Sequence, residues 1–383
     1  MGPFSKRSQV APFHAMDVMG EAFRLQEQGE DVCFLTVGQP SALLPPSVRE
    51  LAAGIVDTQV LGYTDAIGRS DARRAIAAMY AECYGLDVYP SRIILTTGSS
   101  AGFSLAFLTL ADAGGRIAIT SPGYPAYRSI IGALSMECVE IPTDGAHGHM
   151  LDIDVLLSEH RKKPIDALLI ASPANPTGAA LSAENLQLLV DTCRENGIAF
   201  ISDEIYHRLR YTGDDACALQ FDDQSVVINS FSKYYCMTGW RIGWMVVPEN
   251  MVRTVETLGQ NLYISAPDLS QRVVPEVLAQ TAYFDEIRDG YLKNRAVLID
   301  RLPSIGIQFA STTDGAFYAW CDVSGLTNDS MDFAKKMLRE IKVACAPGVD
   351  FDTENGHRFM RLSYAGSHET VCTALDRMEA WLK

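Results

Sequence analysis

Cysteine pairs are the first thing missing from this chain. Nine cysteines, an odd number, are scattered from Cys33 to Cys372, and none forms a Cys-x-x-Cys pair. That excludes a disulfide framework and a thiolate zinc site, and it fits reduced thiols in a cytoplasmic protein. Positive charge is scarce as well. There are 32 Lys and Arg against 47 Asp and Glu, a net charge of −15. Such a balance argues against nucleic acid or an anionic membrane as the main partner. It also makes single arginines informative, because an acidic protein that binds anions must build a local positive pocket. Long apolar runs are absent; Ala167 to Ala171 is typical of the longest, far short of a membrane span. Met1 to Arg7 is polar and basic with no apolar stretch, so no secretory leader is expected. His147 and His149 share a glycine-containing turn without a cluster of further ligands, which reads as a surface loop. No repeat or low-complexity tract stands out.

What is present is enough for a large globular chain. At 383 residues and 48% hydrophobic content, two domains are expected. The sharpest local feature is Ile228-Asn229-Ser230-Phe231-Ser232-Lys233. A β-branched run, Ser225 to Ile228, enters a turn of small hydroxylic residues that ends in a lysine. Arg241 then opens a second apolar run, Ile242 to Val247. A lysine set between apolar walls, beside hydroxyls and a guanidinium, suits a nucleophile toward a carbonyl with an anion held nearby. A lone Ser-x-Lys is usually an exposed turn, so the neighbouring strands must decide.

They alternate with helices. An amphipathic helix is predicted over Ala15 to Gln28 and a short strand over Val32 to Val37, stopped at Gly38-Gln39-Pro40. A helix capped by Ser47 follows, then a Gly-flanked loop with Tyr63 and a helix from Ser70 to Tyr84. The strand Arg92 to Thr97 stops at Gly98-Ser99-Ser100-Ala101-Gly102, with a helix from Phe103. Small residues between a strand and a helix start expose backbone N–H groups, a weak phosphate-cradle signal. Strands at Arg116–Thr120, Ala167–Ala171, Ile198–Ile201 and Val226–Ile228 end in Tyr124, Asn175, Asp203 with Tyr206, and Ser230 with Lys233. Ser182 caps the helix that follows Asn175. After a largely helical stretch from Ser270 to Arg301, strands are expected at Gly315–Trp320 and Phe359–Tyr364, with helices over Asp332–Ile341 and to Trp381.

Strands alternating with helices imply an α/β fold with a mostly parallel sheet, helices on both faces, and a smaller α+β domain. The boundaries expected are 1–45 for an N-terminal arm and part of the small domain, 46–275 for the large domain and 276–383 for the small one. Ligands of such sheets sit outside the carboxyl ends of the strands. Here five successive strand ends deliver complementary groups to one crevice, and together they match a pyridoxal 5′-phosphate site. Lys233 suits the Schiff base and Asp203 the partner of the pyridine nitrogen. Asn175 and Tyr206 suit the ring oxygen, and Tyr124 the ring face. Ser99, Ser100, Ser230 and Arg241 suit the phosphate. Ser232 fits either a phosphate contact or a turn.

The motifs Asn175-Pro176-Thr177-Gly178, Asp203-Glu204-Ile205-Tyr206, Ser230-Phe231-Ser232-Lys233, Gly239-Trp240-Arg241-Ile242-Gly243 and Arg361-Leu362-Ser363 resemble those of class I/II aminotransferases, fold-type I enzymes of the aspartate aminotransferase superfamily. The resemblance runs from Gly38 to Arg361. It implies that Arg361 grips the substrate carboxylate, helped by Asn175 and the Gly38 backbone. It implies a homodimer in which Tyr63 reaches the neighbouring subunit's phosphate, and an N-terminal segment that joins the C-terminal third and closes over substrate. Lys233, Asp203 and Tyr206 are then the catalytic set, no metal takes part, and an L-amino acid and a 2-oxo acid are the partners in ping-pong turnover. Members acting on acidic substrates carry a further basic residue, and Gly98 to Asp112 contains none. Phe13, Ala15 and Ile264 are the residues expected along the side-chain pocket, so a neutral or aromatic donor is expected. A C–S β-lyase on the same groups is the alternative. A transcription regulator with this fold would need a DNA-reading module ahead of it.

Overall fold

The first strand stands apart from those that follow it. The computed structural model describes residues 4–383, so Met1 to Pro3 of the basic N-terminal stretch lie outside the described residues. β1 (Cys33–Leu35) leaves the strands that come next in sequence and pairs elsewhere. Seven strands build one sheet: β2 (Ile93–Thr96), β3 (Arg116–Ser121), β4 (Glu137–Pro142), β5 (Ala167–Ala171), β6 (Ala199–Asp203), β7 (Val226–Ser230) and β8 (Gly243–Val246). Their order is β2-β8-β7-β6-β5-β3-β4. β3 to β7 pair in parallel, while β8 runs antiparallel to both β7 and β2. The central strands are buried along nearly their whole length because helices cover both faces, which is why they read as continuous apolar runs. β4 is different. Its Glu137, Val139, Glu140 and Ile141 mix exposed and buried positions at the sheet edge, and the sequence reading missed it.

The second sheet joins the two ends of the chain. β9 (Gln308–Phe309), β10 (Tyr318–Asp322), β11 (Val343–Pro347) and β12 (Phe359–Ser363) complete it in the order β1-β11-β12-β10-β9. β1 lies parallel to β11, with Cys33 opposite Val343. The helix His14–Glu27 buries Val18 and Ala22 against Leu338 and Ala344. The N-terminal segment is therefore part of the C-terminal sheet layer, a long-range pairing with no local signature.

Several boundaries differ from those expected, each for a local reason. The helix after β2 spans Gly98–Leu110 and begins at the glycine, not at Phe103. Its small first turns let it lie close on the sheet: a Cβ on Gly102 would come within 3.2 Å of Ile228 and 3.3 Å of Met245. Ser47 does not cap its helix. Pro46 opens that helix and Pro45 precedes it, which uses the position where a missing N–H costs nothing. The stretch from Ser270 to Arg301 is three helices, Asp268–Arg272, Val274–Leu278 and Thr281–Arg301, with Pro275 opening the second. β10 starts at Tyr318 because Gly315 bridges Arg210 and Ala316 takes a positive φ. Ser182 does cap its helix, accepting the Asn185 N–H at 3.2 Å. His149 packs on the Ala310 carbonyl, and no metal-binding cluster occurs among the described residues. No helix among them is long and apolar enough to cross a membrane.

Candidate active site

The topology gathers the candidate residues at one edge of the large sheet. β2, β3, β5, β6 and β7 all end there, and antiparallel β8 begins there. Ser230 at the end of β7 is therefore opposite Gly243 at the start of β8, and Thr96 of β2 is on the other side of Gly243. This register brings the Gly98 turn, Arg241 and the Lys233 turn together. One cavity of about 250 Å³ joins them to residues of the small sheet.

At the base of the cavity the helix Gly98–Leu110 points its N-terminus inward. Thr97 offers it no side-chain cap, so the first N–H groups are free for an anion. Gly98 is needed twice. Its φ is +72°, and a Cβ there would stand 2.3 Å from the Arg241 Nη2. Arg241 itself takes a left-handed φ of 50°, with Nη1 donating to the Thr238 carbonyl at 3.0 Å. Ser99, Ser100, Ser232 and Thr238 line the same end. Ser230 does not line it. Its hydroxyl donates to the Ile242 carbonyl at 3.1 Å and accepts the Ser232 N–H at 3.1 Å, so it braces the turn that presents Ser232.

Asp203, the last residue of β6, is buried in the middle of the site. Its carboxylate accepts the Ile205 N–H at 3.1 Å and the Tyr127 hydroxyl. Burial pushes its pKa up to about 6, and those two hydrogen bonds pull against the rise. Lys233 faces it. The Nζ donates to the Gly38 carbonyl at 2.8 Å. Burial, followed by the charges of Arg361 and Arg241, lowers its pKa to about 8, while Asp203 opposes the fall. Gly38 is also a point of close approach, since a Cβ would meet the Tyr318 hydroxyl at 1.7 Å. Tyr124 sits edge-on to Tyr127, with ring centres 5.3 Å apart.

The small sheet supplies the cavity's other wall. Arg361, in β12, is 3% exposed. Its Nη1 donates to the Asn175 Oδ1 at 2.8 Å and its Nη2 to the Thr36 carbonyl. The guanidinium lies between the Tyr318 ring at 4.3 Å and the Phe351 ring at 4.6 Å. Its Nε is buried without a partner, an unspent donor on a buried cation, as expected where an acidic ligand completes the set. The Tyr206 and Tyr318 hydroxyls are 2.8 Å apart.

Of the residues expected here, Gly38, Ser99, Ser100, Tyr124, Asn175, Asp203, Tyr206, Lys233, Arg241 and Arg361 line this one cavity, and so do Phe13 and Ala15. Tyr63 and Ile264 do not line it; they are 83% and 45% exposed. The sequence reading passed over Tyr127, Tyr318, Thr238, Met16 and Gln39. Tyr127 carried a usable signal, one helical turn beyond Tyr124 on a helix that starts at Pro125.

The arrangement therefore offers an anion cradle, a buried carboxylate, a lysine of lowered basicity and a second arginine across the gap. A phosphate, a basic ring nitrogen, a carbonyl and a carboxylate would each find a partner. Comparison with known proteins agrees. The family profile for aminotransferase class I and II matches residues 30–378. The chain belongs to the class I and II aminotransferases. Family members use pyridoxal phosphate, and the donor set just described fits it. Within the family, the chain is 44% identical to a valine–pyruvate aminotransferase of Mycobacterium tuberculosis over 98% of this chain and 97% of that one. A crystal structure of an aminotransferase from M. tuberculosis superposes with a TM-score of 0.95 at 43% identity, covering 100% of this chain and 99% of the other. The aspartate aminotransferase of Thermus thermophilus, crystallised with maleate, superposes with a TM-score of 0.92 at 29% identity, covering 99% and 100%.

Proposed function

We propose that this aminotransferase moves the amino group of a neutral L-amino acid, valine or a similar aliphatic donor, to a small 2-oxo acid such as pyruvate. One observation carries the reading. Among the described residues, the cationic side chains on the cavity wall are Lys233, Arg241 and Arg361, while Phe13, Ala15 and Met16 give it an apolar stretch. Arg241 belongs to the phosphate end and Arg361 suits the α-carboxylate, which leaves no cation for a side-chain carboxylate. The relative named for valine and pyruvate supports the same choice.

When bound, pyridoxal phosphate supplies a reactive carbonyl carbon and a ring that accepts an electron pair. The chain's own groups do the rest. Lys233 would be the covalent anchor at rest and, once freed, the base that could take the Cα proton and return it two atoms along, beyond the amino nitrogen. Its lowered pKa suits both tasks near neutral pH. Asp203, kept in place by Tyr127 and Ile205, holds the ring nitrogen's proton. Asn175 and Tyr206 would hydrogen-bond the ring oxygen, and Tyr124 would pack on the ring. The Gly98 helix start, Ser99, Ser100, Ser232 and Arg241 hold the phosphate, with Ser230 as a brace behind Ser232. Arg361 spends its free donor on the substrate carboxylate and Asn175 orients it. Donor and acceptor use one cavity in turn, so ping-pong kinetics are expected.

Tyr63 makes sense only beside a second copy. It is exposed next to Val60, which is 89% exposed. A homodimer that covers this strip and aims Tyr63 at the partner's phosphate cradle accounts for both. The division into 1–45, 46–275 and 276–383 fits the two sheets.

A half-reaction screen tests the donor. The holoenzyme is mixed with single amino acids and conversion of the cofactor to its amine form is followed by absorbance. Valine, leucine and alanine should convert it fast and aspartate slowly. A kcat/KM for aspartate well above those for valine, alanine, leucine and phenylalanine would sink the proposal. Pyruvate and ammonia released from cysteine without an acceptor would point to the lyase instead.

A further inference from the structure

The helix that carries the mouth of the cavity cannot cap itself. It spans His14–Glu27, and its N-cap residue is Phe13, whose side chain has no hydrogen-bonding atom. Two of its first N–H groups are instead taken by a carboxylate from the far end of the chain. Asp350 accepts the His14 N–H at 2.9 Å and the Ala15 N–H at 2.7 Å. Asp350 is 4% exposed, and both of its carboxylate oxygens are used. An anion at this end also meets the positive end of the helix dipole.

The turn that holds Asp350 also reaches Arg361, Phe13 and the Gly123 backbone. The Asp350 carbonyl accepts from the Arg128 Nη2 at 2.6 Å, and Arg128 is tied through Nη1 to Glu140 at 2.8 Å. The next residue, Phe351, lies on the guanidinium of Arg361 and meets the Phe13 ring edge-on, centres 6.4 Å apart. The Phe351 carbonyl accepts the Gly123 N–H at 2.9 Å, beside Tyr124. One short turn thus connects the carboxylate-binding arginine, the aromatic at the ring face and the helix bearing Phe13, Ala15 and Met16.

We propose that Asp350 is a positioning residue for substrate: it caps the mouth helix from outside and so sets the distance between Arg361 and the apolar wall that receives the donor's side chain. Asp350 itself does not line the cavity. The inference rests on the neutral-donor reading only for the kinetic half of its test.

Two variants of the holoenzyme and two readouts decide it. In Asp350→Ala the amides of residues 14–16 should exchange with deuterium about tenfold faster, the size expected for loss of a strong cap. The KM for valine should rise about tenfold, with little change for alanine, whose shorter side chain has less to pack on the wall. The kcat for alanine and the absorbance of the bound cofactor should stay within about twofold. Asp350→Asn keeps one acceptor oxygen and should fall between wild type and Asp350→Ala in both readouts. Unchanged exchange at residues 14–16 in Asp350→Ala overturns the proposal. So does an equal loss for valine and alanine, or loss of the cofactor spectrum, since either marks a general structural role. Should wild type not turn over valine, the donor assignment falls, and the exchange experiment still judges Asp350.

Discussion

The two ends of the cavity are built on different physics. The cofactor end is a closed polar lattice: Asp203 has its oxygens occupied, Lys233 is hydrogen-bonded to Gly38, and Arg241 lies across a glycine that can be nothing else. Those groups stand on ends of strands in one buried sheet. The substrate end is an apolar wall of Phe13, Ala15 and Met16 on a helix from the start of the chain, held by contacts to residues near its end. Buried polar groups are costly to disturb because each lost partner strands another, whereas an apolar wall changes by increments of packing. The first end should therefore fail abruptly and alike for every substrate. The second should fail gradually and selectively.

Lys233→Ala gives the largest expected effect. Removing the anchor and the proton carrier together should cost at least about 10⁴-fold in kcat for all donors. The absorbance of lysine-bound cofactor should vanish from the purified protein; if that band persists, Lys233 is not the anchor. Next comes Arg361→Lys, at the junction of the two ends. A lysine keeps the charge but loses the planar fork, leaving Asn175 and the Thr36 carbonyl without their donors. A loss of roughly 100-fold in kcat/KM is expected, equal for valine and alanine, with the cofactor spectrum unchanged. A loss confined to large donors would place Arg361 on the side-chain wall and erase the contrast between the ends.

Legibility in the sequence follows the same division. Lys233, Asp203, Asn175 and Tyr124 could be found because each sits just past an apolar run of a parallel sheet, where strand order and chain order nearly agree. Tyr127 escaped because a tyrosine one turn into a helix looks like any core aromatic; only its bond to Asp203 shows its part. Tyr318 comes from the small sheet and Phe351 from the turn just after its strand β11, which was not recognised at all. Its Val343-Ala344-Cys345-Ala346-Pro347 run is short and small-sided, and its main partner, β1, is at the other end of the chain. Tyr63 is exposed and lies outside the cavity of a single copy, so one chain alone cannot test the role expected for it. The Gly98 helix start was read as a loop, since glycine and serine signal a turn unless a sheet lies close beneath them.

A pH experiment sharpens the cofactor end. Burial and two arginines hold Lys233 at about 8, against 10.5 for an ordinary lysine. The neutral amine is the reactive form, so a lowered pKa means more of it at a given pH. In cofactor-free protein, modification of Lys233 by an amine reagent should rise about tenfold between pH 7 and pH 9 and level off above that. Exposed lysines should keep accelerating toward pH 10. The same shift acts on stability. Between about 8 and 10.5 the unfolded chain binds more protons at this site than the folded one, so this lysine makes the cofactor-free fold more stable as pH rises through that window. A modification profile at Lys233 that tracks the exposed lysines would mean that the apolar walls and arginines do not govern it.

Phe13→Ala should have the smallest effect and the most selective one. Phe13 is half-buried and meets Tyr124 and Phe351 edge-on, with ring centres 6.3 and 6.4 Å away. Taking the ring away leaves the Asp350 bonds to the His14 and Ala15 N–H groups in place, so the helix should keep its position while its wall recedes. Alanine, with the smallest side chain to pack on the wall, should turn over as before. Valine should lose packing, and phenylalanine should gain room, for a change of roughly fivefold in their kcat/KM ratio, in line with the modest discrimination that apolar pockets achieve. Cofactor absorbance should not move. A uniform loss across alanine, valine and phenylalanine would show that the wall and the polar lattice act as one unit, and the contrast between the two ends would not hold.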